Sequence, residues 1–538
     1  MRRHSIPSEG ISRTRIQQAS YAILCCILLN SCAPTERKAD LVFLNGTEPE
    51  SLDPAIITGQ PEGRVVLALF EGLTARDAKG RVIPGVARSW EISEEGTCYT
   101  FHLRPEAQWS NGEPLTAQDF VQSWQRTLAP STTSEYAYQL YYIRNAEAFN
   151  TGKLADFSKV GVQALDEHTL RVCLAHPTPF FLDLCAFPTL LPVHLRSIEK
   201  YGDDWIKPGC LVSNGAYLLD DWQINHRIRL RANPHYWDRA QVSLEIVDIL
   251  PTQQANTAYN LYHAGAADLI LDKGLVPAML LDTLKKKPDF HTSPFLGNYF
   301  YRFNVTRKPF DDPRVRKAFA LAINKQRIVD KITRAGEQIA GSLVPPGIPG
   351  YTSPKGLGYD PAAGRRLLAE AGFPKGAGFP IVSLLYNKSE QNEAIATEIQ
   401  DMLQKELGIK VDLSQQEWKV YLRSMSSLDY DFCRASWVGD YNDPNTFLDM
   451  FVTNGGNNRT GWSNPTYDAL LRAAAQEINS QRRMNLFQRA ETILCADELP
   501  ILPLYYYVGI QFYDPKKISG IEPNVLDEHP LKYIRNRR

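Results

Sequence analysis

Cysteine is scarce in this chain, and the few present show no sign of acting together. Nine occur in 538 residues, with no CxxC pair and no histidine at metal-ligand spacing, so neither a zinc site nor a disulfide framework is signalled. Six lie beyond residue 32, namely Cys98, Cys173, Cys185, Cys210, Cys433 and Cys495, and most of these are expected as small buried apolar side chains. An excess of positive charge is missing too, with 59 Lys and Arg against 60 Asp and Glu. Polyanion binding needs a clustered basic surface, and the runs Lys285–Lys287 and Arg535–Arg538 are short enough to be solvated faces. No nucleic-acid partner is therefore expected. GxSxG, HExxH and Walker motifs are all absent, as is a cysteine with an evident histidine partner, so an enzyme reading has no motif to rest on. No apolar run approaches the roughly 20 residues that span a bilayer. Internal repeats and low-complexity stretches are absent as well.

What is present starts with a distinctive N-terminus. Arg2, Arg3, Arg13 and Arg15 precede the apolar run 21–29, which is followed by Asn30-Ser31-Cys32. A basic region, a short apolar core and a small residue make a secretory signal over residues 1–31. A cysteine directly after Leu-Asn-Ser resembles the bacterial lipobox, which implies cleavage and diacylation at Cys32; the alternative is plain cleavage to a soluble periplasmic protein. The remainder would carry 55 basic and 59 acidic residues. With 43% apolar content over this length, two or three domains are expected rather than one core.

Along the chain, local signals alternate between strands and helices. A strand is expected over 40–45, a helix over 65–73, an alternating strand over 99–104 and a hairpin turn at Trp109-Ser-Asn-Gly112. Thr116, with Asp119 three residues on, marks a helix start whose apolar face is Phe120, Trp124 and Leu128. Asp312-Pro313 and Asp360-Pro361 are two further helix starts, a cap followed by proline at the first helical position. A strand over 380–386, a helix ending at Gly408 and a strand through Ile409, Val411 and Leu413 make a βαβ unit, whose natural crossover pairs its strands in parallel. These signals point to an α/β fold.

The stretch Phe432–Pro444 stands out within that frame. Its first half reads as a buried strand, and Asp440 sits just past the strand end, where open α/β sheets bind ligands. With Trp437 nearby and Arg434 on the same side of the pleat as Ser436, the stretch offers a ligand both charge and an aromatic wall. In an arbitrary chain, Asp440, Asn442 and Asp443 would first of all be turn formers before a helix near Pro444.

Ser51-Leu-Asp-Pro54, Phe70-Glu-Gly-Leu73, Ala87-x-x-Trp90, Trp109-Ser-Asn-Gly112, Asn214-Gly-Ala-Tyr217, Asn233-Pro-x-Tyr-Trp237, Phe310-Asp-Asp-Pro-Arg-Val-Arg316 and Gln416-Glu-Trp418 occur in one order along the chain. That series resembles the solute-binding proteins of oligopeptide ABC importers. The resemblance implies a two-lobe periplasmic-binding-protein fold with an additional inserted domain and a ligand cleft between the lobes. Carried over, 40–70, 191–292 and 508–538 form lobe I, 71–190 the inserted domain and 293–507 lobe II. It further implies that Asp440 binds a peptide α-ammonium, that Trp437 and Trp418 wall side-chain pockets, and that Arg434 holds the far carboxylate. Arg423, Tyr136 and Tyr507 carry over as further contacts, each balanced against a packing or surface role.

The chain departs from the best-known members at three places. Asn392 stands near a histidine position, while Thr58 and Arg302 stand where relatives are acidic, which leaves the preferred peptide length and side chains open. No cofactor is implied. The implied partners are short peptides, the permease and ATPase subunits of an importer, and a membrane through the lipid anchor, for a monomer on the periplasmic side. Other ligands known to the scaffold (metal chelates, haem, murein peptides, sugars) and a peptidase acting on the same ligands are the rival readings.

Overall fold

Two long strands, Phe290–Phe303 and Ile501–Tyr513, run antiparallel to each other and tie the fold together. The computed structural model describes residues 37–537. The expected signal segment and Cys32 lie outside the described residues. From Asp40 onward the described residues form one compact unit.

The central sheet has eleven strands. On one side of the long pair lie Phe432–Val438, Val382–Asn387 and Val411–Gln416; on the other lie Leu269–Ile270, Leu41–Leu44, Ile246–Leu250, Arg227–Ala232 and Tyr217–Gln223. Gln338–Ile339 pairs with the second long strand off this path. The long pair thus lies inside the sheet, with strands on either side of it. Where the two long strands cross, the register slips between Pro294 and Asn298, and an irregularity of this kind bends a strand and re-aims its side chains.

In the second half of the sheet the βαβ unit forms as its sequence dictates. Val382–Asn387 and Val411–Gln416 pair in parallel, with Val382 opposite Val411. The helix between them, Glu390–Leu407, ends on Gly408 at φ +73°. Asp312 and Asp360 both cap their helices, accepting from the backbone N–H of Arg314 at 2.8 Å and of Ala363 at 2.9 Å. Apolar side chains cover both faces of this half. One core includes Tyr299, Phe303, Phe319, Ile399 and Phe432, and the other includes Phe300, Ala435, Phe447, Phe451 and Phe487. A strand covered on both faces must be apolar nearly throughout, which explains the Phe-Cys-x-Ala run at 432–435.

A separate antiparallel sheet of four strands, in the order Ala87–Ile92, Cys98–Leu103, Thr169–Cys173, Val162–Asp166, packs under the helix Ala117–Leu128. Thr116 starts that helix by donating its backbone N–H and hydroxyl to Asp119 Oδ2, at 2.7 and 2.8 Å. Two expectations are corrected in this half. The helix expected over 65–73 occupies Gln60–Leu69, because Pro61 supplies the fixed φ of a first turn and the chain is already extended at Phe70. Cys98 and Cys173 are disulfide-bonded; they are directly opposed on neighbouring strands, a relation that no local spacing encodes. Cys185, Cys433 and Cys495 are buried free thiols, as expected of apolar side chains, and Cys210 is half-buried. No helix among the described residues is long and apolar enough to cross a membrane.

Candidate functional site

Gly439 and Asp440 leave the strand Phe432–Val438 at the point where the register slip lifts residues 295–297 out of the ladder with Ile501–Tyr513. The Gly439 N–H donates to the Leu296 carbonyl at 2.8 Å. This approach leaves no room for a side chain, since a Cβ on Gly439 would stand 2.7 Å from Leu296 Cδ2. The Asp440 N–H then donates to Thr446 Oγ1 at 3.1 Å. Tyr441 is buried and stacks on Phe180, with ring centres 4.1 Å apart and planes 6° from parallel. Asp443 forms a bidentate pair with Arg483 at 2.6 and 2.8 Å. Both partners are buried.

The turn so held places Asp440 on a cavity of about 520 Å³, a volume suited to a small ligand. Ile57, Leu67, Phe187, Leu271, Phe295 and Val438 supply its apolar lining. Two other carboxylates of the lining are already engaged. Arg76 donates to Glu528 at 2.6 Å, and Asp527 accepts from Gln511 at 2.6 Å and lies 3.1 Å from His529 Nε2. Asp440 has no cationic partner among the described residues. Its Oδ2 accepts from Gln139 Nε2 at 3.0 Å and from the Tyr138 hydroxyl at 3.4 Å.

Removal from water disfavours the charged form and pushes the Asp440 carboxyl up to about 7, although the Gln139 and Tyr138 hydrogen bonds oppose the rise. Asp449 is pushed up to about 8 by burial and by the like charges of Asp440 and Asp443. Its one hydrogen-bond donor here is Asn445, at 3.1 Å. Asp440 thus gives this end of the cavity an acid without an ion-pair partner among the described residues. No cluster of His, Cys, Asp or Glu among the described residues could hold a metal.

Of the residues singled out from the sequence, Asp440, Tyr136, Tyr507 and Thr58 line this one cavity. Tyr136 stands between Tyr138 and Phe187, with ring centres at 5.6 and 5.5 Å. Arg434 reaches the same place through Tyr507, donating Nη2 to its hydroxyl at 3.3 Å, and lies 4.8 Å from the ring centre of Tyr299. Trp437 is half-buried, its indole N–H without a protein partner. Trp418 is exposed and stacks on Tyr421 at 5.6 Å, and Arg423 is exposed on the same helix, Trp418–Ser426.

Asn392 and Arg302 are buried away from the cavity lining. Asn392 accepts from the Tyr299 hydroxyl at 3.1 Å. Arg302 donates to the Asn457 carbonyl at 3.2 Å and has no carboxylate partner among the described residues. Three residues of the site carried no signal in the sequence. Gln139 and Tyr138 reach Asp440 from some 300 positions away in the chain, and Lys273 enters the cavity from a turn beyond a two-residue strand.

The family model of the bacterial extracellular solute-binding proteins, family 5, matches residues 81–459. The oligopeptide-binding protein OppA of Bacillus subtilis is 38% identical over 492 residues, covering 88% of both chains. The probable deoxycholate-binding periplasmic protein YgiS of Escherichia coli is also 38% identical, over 484 residues, covering 88% of this chain and 89% of that protein. The crystal structure of a periplasmic oligopeptide-binding protein from Borrelia burgdorferi aligns with a TM-score of 0.81 at 33% identity, covering 93% of this chain and all of that one.

Proposed function

Because the chain belongs to family 5 of the bacterial extracellular solute-binding proteins, we propose that it captures short oligopeptides and delivers them to an ABC importer. One observation carries the reading: a carboxylate on the cavity wall that is desolvated, hydrogen-bonded only by neutral groups and without a cation. Such a group is satisfied by a ligand ammonium. A charge-assisted hydrogen bond contributes about 1.5–3 kcal/mol, and pairing also offsets the desolvation that lifts the carboxyl. Binding a peptide α-ammonium draws the Asp440 proton off and leaves an ion pair closed from water.

The remaining roles follow the chemistry of each side chain. Arg434 receives the carboxylate end of the peptide. Trp437 and Trp418 wall side-chain pockets, with Arg423, Tyr136 and Tyr507 as further contacts. Extended-peptide amides pair with strand-like backbone, which leaves side-chain choice permissive. Thr58, which lines the cavity where relatives are acidic, shifts the pockets toward neutral or acidic side chains. Residues 40–70, 191–292 and 508–538 make lobe I, 71–190 the inserted domain and 293–507 lobe II. The protein works as a lipid-anchored monomer through Cys32, on the periplasmic side of the membrane, and binds without catalysing a reaction.

The deoxycholate named for one relative is an anion without an amino group. It would leave Asp440 unpaired, and so the acidic end of the cavity favours the peptide. Native mass spectrometry of protein expressed in cells tests this. Adducts of tri- to pentapeptide mass, together with calorimetric heat from a mixed peptide library, are the expected result. A bare protein mass and no heat would remove the reading.

A further inference from the structure

The end of the cavity at Tyr507 carries the opposite charge to the end at Asp440. Lys273 stands on the short turn Lys273–Leu275, fixed by Asp272, which accepts from the Gly274 N–H at 2.8 Å. Its Nζ lies 3.5 Å from the centre of the Tyr507 ring and 6.0 Å from that of Phe295. The hydroxyl of the same Tyr507 accepts from Arg434 at 3.3 Å. One phenol is thus shared by two cations that come from different halves of the central sheet. Tyr507 is held where it is by Gly297, on which a Cβ would stand 2.5 Å from Tyr507 Cδ2.

Neither cation is in an ion pair among the described residues, and the nearest acids are committed elsewhere. Asp272 faces Arg64 at 3.5 Å. Glu337 accepts from Thr333 Oγ1 at 2.8 Å and from the Ala335 N–H at 2.9 Å. Two like charges have therefore been brought to one ring, neither with an ion-pair partner among the described residues.

We propose that Lys273 is a specificity-determining residue which, with Arg434, binds the free carboxylate of the ligand beside Tyr507. The two side chains divide the work by their chemistry. Arg434 offers a planar fork to the carboxylate, and Lys273 offers a compact charge on a flexible stem. A carboxylate held by both bridges the two halves of the sheet, so the bound ligand itself ties the lobes together. With Asp440 and Lys273 lining the same cavity, the preferred ligand is a peptide short enough for both of its charged ends to lie there. This rests on the peptide reading above.

Calorimetry at pH 7.5 with alanine peptides of two to six residues, each as free acid and as C-terminal amide, tests it, using wild type, Lys273→Met and Lys273→Arg. Wild type should favour the acid over the amide by about 10- to 100-fold at one length. Lys273→Met keeps the stem and should lose most of that preference, Lys273→Arg should keep it, and thermal melting should be unchanged in both because the side chain is exposed. An acid-to-amide ratio in Lys273→Met equal to that of wild type at every length would overturn the Lys273 assignment alone. If wild type bound neither acids nor amides, the assignment would fall together with the peptide reading.

Discussion

Asp440 and Asp443 stand on one turn, three residues apart, and their surroundings treat them in opposite ways. Asp443 is buried against Arg483 in a bidentate pair, so its charge is balanced inside the protein. Asp440 has only the neutral donors Gln139 and Tyr138, and burial pushes its carboxyl up to about 7. The lesson is that a charge already paired by the fold is unavailable to a ligand, whereas a desolvated charge left unpaired is a standing cost that a ligand can lift. The same contrast recurs along the cavity wall. Glu528 is taken by Arg76, whereas Lys273 and Arg434 are left with a phenol between them.

Removing one partner of the paired acid should give the largest effect, and on stability. Asp443→Asn leaves Arg483 buried and uncompensated, which typically costs about 3–5 kcal/mol. Chemical denaturation of the ligand-free protein measures it. Replacing both Asp443 and Arg483 by apolar residues should cost much less than Asp443→Asn alone.

Asp440→Asn should do the reverse. Peptide affinity should fall by roughly 2–4 kcal/mol, about 30- to 1000-fold in Kd, while the ligand-free protein should become more stable. The sign follows from the raised carboxyl. Between the ordinary value of 3.8 and about 7, the folded state binds more protons than the unfolded one, so the stability contributed by this group falls as pH rises through that window. The gain in melting temperature of Asp440→Asn over wild type should therefore be small at pH 4 and larger at pH 8. An equal gain at both would mean that burial of the charge is not its source.

Gln139 sharpens the contrast further, since its donor is one of the two that favour the ionised Asp440. Gln139→Leu should raise the carboxyl further and weaken binding by about 1–2 kcal/mol, with no comparable change on Gln511, which serves the already engaged Asp527. Per pH unit, the pH profile of wild type gives an effect of similar size. Affinity should drop by up to tenfold per unit below pH 7 as Asp440 protonates, and decline again above about pH 8 as the peptide α-amino group loses its charge. A profile flat from pH 5.5 to 7.5 would contradict the raised carboxyl.

Much of this was legible in the sequence, and what was missed has a physical reason. Caps and glycine stops are local, so the helices after Asp312 and Asp360 and the end at Gly408 could be read directly. The place of Asp440 beyond its strand followed from the apolar run 432–435, because a strand with both faces covered carries its own signature. Strand register is not local, and so the Cys98–Cys173 pairing did not show. Proline at the first turn of the helix Gln60–Leu69 was a readable signal that the apolar residues further on outweighed. Lys273, Tyr138 and Gln139 have no motif of their own. They matter through the crossing of the long strands, which brings segments from about 270, 138 and 440 to one cavity.

The most direct test of Asp440 as the ammonium partner is a cycle over peptide N-acetylation. Kd values of a free peptide and its N-acetyl form are measured for wild type and for Asp440→Asn at pH 7.5. The expected result is a large penalty for acetylation in wild type and a far smaller one in the variant, because the group that Asp440 pairs with has been removed in both cases. Equal penalties in the two proteins would mean that the ammonium lies elsewhere, and that the unpaired aspartate on the cavity wall is not what selects the ligand.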